Sequence, residues 1–210
     1  MDALPLVTAL VAGFVHALEP DHMAAVTTFV AHRPRPREAL RFGVRWGLGH
    51  SVAILVVGGA LSLLGLRMPD GVARGLEFGV GSLLVALGGW LLWTILHERA
   101  HALARPKGGA EPAHRHGAGW VGVAHGVAGT GSLVALLQAT LAPSPGLAVA
   151  YLLCFGVGTT LAMGAYAAVA GVLFRSARGG MAGALRASTA VASAALGVFW
   201  MYAALRGGGA

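Results

Sequence analysis

The sequence predicts an all-α, polytopic transmembrane bundle of about six helices, built as two inverted three-helix repeats. Three observations carry this. The composition is too apolar for a hydrated surface, six apolar runs are long enough to cross a bilayer, and one constant offset lays the first three runs on the last three. Apolar residues make up 56% of the 210-residue chain and charged residues 11%, whereas a soluble domain carries roughly 25% charged residues. The mean hydropathy is +0.72. The length suits one integral membrane domain spanning residues 1–210, with no room for a second, soluble domain of usual size.

Taken in order, the runs cover residues 4–30, 39–66, 75–96, 118–141, 147–174 and 184–205, each long enough for a hydrocarbon core about 30 Å thick. The first contains Pro20 and four ionisable residues, and the second contains Gly47-Leu48-Gly49-His50-Ser51. Gly79-Val80-Gly81 in the third and Gly156-Val157-Gly158 in the fifth fit close helix packing in lipid, where small residues let backbones approach. The fourth holds His125 and a glycine-rich stretch through Gly131, and the sixth closes the bundle. Trp46, Trp90, Trp93, Trp120 and Trp200 fall towards the ends of runs, as expected of an interfacial aromatic belt.

Basic residues orient the bundle. Arg33, Arg35, Arg37 and Arg41 follow the first run, Arg99, Arg105, Lys107 and Arg115 the third, and Arg175, Arg178 and Arg186 the fifth. Only Arg67, Arg74 and Arg206 occupy the opposite side, while Arg45 lies near the cytoplasmic end of the second run, where it can snorkel. The positive-inside rule then puts both termini outside the cytoplasm of a cytoplasmic (inner) membrane. The net charge of +7 is thus accounted for by topology and the lipid surface, not by nucleic acid.

A shift of 109 residues superimposes His16 on His125, Gly47 on Gly156, Gly49 on Gly158, Ser51 on Thr160, Ala53 on Ala162, Leu87 on Leu196, Gly88 on Gly197 and Trp90 on Phe199. The halves are about 1–97 and 110–206, joined by a cytoplasmic histidine-bearing loop at about 97–117. Three crossings are an odd number, so the second copy is inverted. Inverted repeats are the architecture of many secondary transporters, with the substrate site near the midplane between repeats.

Several classes are excluded. Cys154 is the sole cysteine, so no internal disulfide or CxxC pair exists. No GxxxxGK[ST] loop is present, so ATP hydrolysis by that route is not expected. The N-terminus has Asp2 and no basic n-region, and a cleavable signal peptide is not expected.

The strongest local signal is His16-Ala17-Leu18-Glu19-Pro20-Asp21-His22 inside the first run. Ionisable groups in a bilayer cost a few kcal/mol each and are kept where they line a cavity or meet a cation. Imidazole with carboxylate suits nickel, cobalt, zinc or copper rather than calcium or magnesium. On an unbroken helix Asp21 would lie about 140° and His22 about 240° around from His16, so the groups would diverge. Pro20 removes a backbone hydrogen bond and clashes with the His16 carbonyl, which predicts a kink or restart that turns them to one cavity. Its repeat partner, Gly129, sits in an equally weak helical stretch, and matching interruptions in both halves mark a transporter site. His50 lies roughly 12–15 Å in from its helix end at about 1.5 Å per residue, near the depth of His16. The expected metal residues are His16, Asp21, His22 and His50, with Glu19 and His125 as further candidates; Glu19 can equally cap the restarted helix. His97, His101, His114 and His116 in the connection are expected to be solvated.

The H-x-x-x-x-D-H pattern of His16, Asp21 and His22 resembles the signature of the nickel/cobalt transporter family, and Gly49-His50-Ser51 resembles its second motif. The six-run length and the segment at His125 resemble its shorter, urease-accessory-type branch. The longer members' later acidic motifs have no counterpart here, since beyond Glu77 the second half has no acid within an apolar run. The resemblance implies a permease whose substrate is nickel or cobalt, with no resident cofactor and no enzymatic activity. Its partners would be the metal ion, the lipid bilayer and metalloenzyme maturation proteins. The expected mechanism is alternating access, weakening as pH falls because only neutral imidazole ligates. Two alternatives stand beside it. One is an accessory protein that delivers metal to a urease or hydrogenase maturation partner without forming a pathway. The other is a metal-dependent membrane hydrolase, against which the chain has no HExxH.

Overall fold

The computed structural model describes residues 4–32, 35–64, 69–102, 123, 125–126 and 144–206, and the side chains of residues 62 and 99–102 lie outside that description. Regular structure among the described residues is helical throughout. The helices are α1 (Leu4–His16), α2 (Pro20–His32), α3 (Pro36–Leu64), α4 (Asp70–Ala102), α5 (Pro145–Ser176) and α6 (Gly180–Arg206). Four of these, α3 to α6, are long and apolar enough to cross a membrane.

The first expected run is two helices of 13 residues each. At about 1.5 Å per residue each is about 20 Å long, short of a hydrocarbon core about 30 Å thick. This is the restart that Pro20 demands. The fourth expected run, 118–141, lies outside the described residues apart from 123, 125 and 126, and so do Trp120 and the interruption at Gly129. The connection expected from residue 97 begins later, because α4 continues to Ala102. Residues 103–117, with His114 and His116, lie outside the described residues, as does the His101 side chain.

Local chemistry sets the helix ends. Ser144 caps α5 by accepting from the Leu147 amide at 3.3 Å, and Pro145 begins the helix where no amide is needed. Between α5 and α6 the chain turns at Gly179, whose φ of +55° suits a residue without Cβ.

Helices that the 109-residue shift equates lie against each other. On α3 and α5, a Cβ added at Gly47 would strike Thr160, and one added at Gly156 would strike Ser51. Because 47 maps to 156 and 51 to 160 under the 109-residue shift, these are one contact seen from both sides of a local two-fold. Along the interface one number rises as the other falls, so α3 and α5 run antiparallel. Their absent side chains are replaced by bonds from Ser51 Oγ to Gly156 O at 3.0 Å and between Ser51 Oγ and Thr160 Oγ1 at 3.3 Å. The pair α4 and α6 obeys the same rule: Gly81 abuts Gly197 and Gly88 abuts Ala190. Ser193 Oγ donates to Leu84 O, its own repeat mate, at 3.1 Å.

Burial is inverted relative to a soluble protein. Val7, Val11, Val15, Val157, Leu161 and Val169 are exposed, while His16, Asp21, His22, His50, His125, Thr159 and Ser193 are buried. Lipid, being as apolar as the exposed side chains, removes the reason to bury them. The aromatic-belt expectation fails for Trp46, which is fully buried. It packs in a core with Leu84, Leu91, Met163 and Phe174, because its helix turns that face towards α2 and the Phe29 and Phe42 rings. Trp93 keeps to the expectation, 60% exposed and stacked on His97.

Candidate metal centre

The break after α1 builds the site. Pro20 has no amide, so the carbonyl of His16 is met by Glu19 N at 3.0 Å in a tight last turn, and α2 resumes with Met23 N on Glu19 O at 3.0 Å. The rotation gained across residues 17–19 brings His22 back to His16: their ring centroids are 4.5 Å apart. An unbroken helix could not do this.

α3 and the fourth segment supply the rest. The rings of His50 and His125 lie 4.9 Å and 4.5 Å from that of His22. Close backbone approach makes room for four imidazoles. A Cβ at Gly126 would meet the His50 carbonyl, one at Gly13 would meet that of Phe155, and one at Gly158 would meet that of Leu10. Thr159 Oγ1 fastens α1 to α5 through the Gly13 carbonyl at 3.0 Å.

The polar atoms form two adjoining groups that share His22. In the first, His16, His22 and His50 each offer a nitrogen, all within 4.8 Å of one another, and the Nε2 atoms of His16 and His50 are 3.1 Å apart. Two nitrogens about 2.0–2.1 Å from one ion stand about 2.9 Å apart at a right angle and about 3.4 Å apart at the tetrahedral angle. The observed separation falls between. In the second group Asp21 Oδ1 lies 3.1 Å from His22 Nδ1, and Asp21 Oδ2 lies 3.1 Å from His125 Nε2. An ionised carboxylate only accepts, so both nitrogens donate.

Of the six residues expected from the sequence, His16, Asp21, His22, His50 and His125 converge and are buried. Glu19 stands at the rim, 40% exposed, with Oε1 3.0 Å from His16 Nδ1 but out of line for a hydrogen bond. His97 is remote from the cluster, on the Trp93 ring. Sequence reasoning missed the walls. Trp46 lies 5.7 Å from the His125 ring and Phe155 5.4 Å from the His16 ring, centroid to centroid. Trp46 stands one helical turn before His50, a spacing that places both on one face of α3 and could have revealed it. Thr159, the repeat mate of His50, bonds the backbone carbonyls of Gly13 and Phe155, as a threonine within a helix commonly does.

A scan against protein-family models gives no match, and no solved structure matches. Among curated proteins, the chain is 32% identical over 186 residues to a urease accessory protein, UreH, of Bacillus sp. (strain TB-90), covering 83% of this chain and 81% of that one. It is also 28% identical over 111 residues to a protein of Methanocaldococcus jannaschii whose name assigns it provisionally to nickel/cobalt efflux, covering 51% and 52% respectively. With its four long apolar helices, the chain is a multi-pass membrane protein. Sequence kinship across more than four fifths of both chains settles its lineage: the chain belongs to the nickel/cobalt transporter-like family that includes this urease accessory protein.

Proposed function

We propose that the protein is a permease that moves nickel or cobalt across the cytoplasmic membrane through the buried histidine cluster. The observation that carries this is the convergence of His16, Asp21, His22, His50 and His125 at a helix break inside an apolar bundle. Interhelical polar bonds contribute only about 0.6 kcal/mol on average in membranes, too little to account for five buried ionisable groups at one point. Imidazole-rich coordination selects late first-row divalent ions. Two relatives carry names that refer to urease accessory function and nickel/cobalt efflux, which agrees with that ion class. The antiparallel pairing of repeat-equivalent helices supports alternating access, because the α3–α5 and α4–α6 seams are glycine-lined close contacts between the two halves. Both termini lie outside the cytoplasm on this reading.

The name of the Bacillus relative favours a second reading, an accessory protein that hands metal to a maturation partner and moves none alone. Nickel-63 uptake into proteoliposomes containing only this protein decides between them. Accumulation down an imposed nickel gradient, competed by cobalt and not by magnesium, is expected of the permease. Purified protein that binds nickel yet moves none under any gradient establishes the accessory role.

A further inference from the structure

We propose that Asp21 is a positioning residue and not a ligand, and that the ion is held by the imidazoles of His16, His22 and His50. This rests on the reading that a metal ion occupies the cluster, and it assigns the atoms that hold it.

Both oxygens of Asp21 are already engaged, one by His22 Nδ1 and the other by His125 Nε2, each at 3.1 Å. A carboxylate so placed fixes which nitrogen of each ring carries the proton. With Nδ1–H of His22 committed to Asp21, its Nε2 must carry a lone pair. That atom is fully buried and has no hydrogen-bond partner among the described residues. A buried acceptor left unpaired costs about 1–3 kcal/mol, and His22 is one of the three histidines, with His16 and His50, whose ligand atoms cluster. A divalent ion among the three nitrogens satisfies it.

The remaining protons fall on ring nitrogens turned away from the ion: His50 Nδ1 is buried without a hydrogen-bond partner among the described residues, and His16 Nδ1 lies beside Glu19. For His16 and His50 to bind through Nε2, each must carry its proton on Nδ1. His16 Nδ1 already faces the Glu19 carboxylate at 3.0 Å, so the motif's two acids stand behind its two histidines. His125 puts its Nε2 on Asp21 at 3.1 Å and falls in the second group, while its ring packs edge-on against that of His22. An ion held by three neutral nitrogens and no carboxylate favours nickel, cobalt, copper and zinc, and disfavours manganese and magnesium.

Nickel K-edge absorption on the purified full-length protein counts bound imidazoles by their outer-shell scattering. Three are expected in wild type, three in His125→Ala, two in His50→Ala and three in Asp21→Asn. Nickel Kd should rise about ten- to hundredfold in Asp21→Asn, as for loss of an outer carboxylate partner. Metal-induced infrared difference spectra of wild type should contain no coordinated-carboxylate band that disappears in Asp21→Asn. A coordinated-carboxylate band lost in Asp21→Asn overturns the assignment. So does a count that falls in His125→Ala and stays unchanged in His50→Ala, or an unaltered Kd in Asp21→Asn. Should Asp21→Asn not fold, the wild-type count and infrared spectrum decide alone. Three imidazoles in a protein that transports nothing would leave this assignment standing and remove the permease reading. Wild type that binds no nickel contradicts both.

Discussion

Replacing Gly13 with alanine tests how the α1–α5 contact supports the metal centre. A Cβ at this position would overlap the Phe155 carbonyl oxygen and lie 2.8 Å from its carbon and 3.0 Å from its Cα. The obstacle is backbone, so no rotamer change relieves it. Restoring an ordinary contact of about 3.4 Å to the carbonyl carbon requires α1 to move away by at least ~0.6 Å. Overpacking of this kind costs about 1–3 kcal/mol, against a helix-propensity gain of up to about 1 kcal/mol for glycine to alanine. The same movement stretches the 3.0 Å bond from Thr159 Oγ1 to Gly13 O and carries His16, one turn later, away from His50. Site geometry tolerates about 0.5 Å, so nickel affinity should fall at least tenfold while the fold persists. Gly59→Ala is the control, since a Cβ there meets nothing. Thermal unfolding in detergent and nickel titration would be measured on both. Gly13→Ala matching Gly59→Ala in Tm and in nickel affinity would refute the close approach of α1 to α5.

Three further outcomes follow from the packing and the ligand chemistry. Trp46→Ala should destabilise the protein by about 3–5 kcal/mol, as for a large buried aromatic, and Trp46→Phe by less, measured by denaturant-induced loss of helical signal. Arg186→Ala removes a bidentate pair to Glu98 (2.6 and 3.2 Å) between α4 and α6. That pair is substantially solvent-exposed, so the expected change is within about 1 kcal/mol, and a Tm loss as large as that of Trp46→Ala would contradict it. Nickel uptake should decline as external and internal pH are lowered together from about 7.5 to about 5.5, because protons compete for imidazole nitrogen. A flat profile would argue against a histidine-lined path.

Much of this arrangement was legible in the sequence because membrane physics leaves few options. A proline four residues after His16 forces a break in any helix, and the break is where expected. The 109-residue offset implied an inverted repeat, and the positions it equates meet in antiparallel helices, Gly47 on Thr160 and Gly156 on Ser51. Five of the six candidate residues converge because ionisable groups in an apolar bundle have only each other to meet. What was not legible depended on direction. Trp46 read as interfacial because its place near the end of an apolar run says nothing of which way its helix face points. How Asp21 is engaged was not legible either, because composition cannot separate a carboxylate on a metal from one behind a histidine; only the distances to His22 and His125 bear on it.

The central claim is that the ion passes through the buried imidazoles, and uptake of nickel-63 by proteoliposomes bearing His22→Ala tests it most directly. Alongside wild type, the comparison is with His97→Ala, a histidine on the surface of α4 stacked on Trp93. The account predicts wild-type uptake for His97→Ala and none above protein-free vesicles for His22→Ala, with both variants folded by circular dichroism. Undiminished uptake by a folded His22→Ala would mean that the ion takes another route.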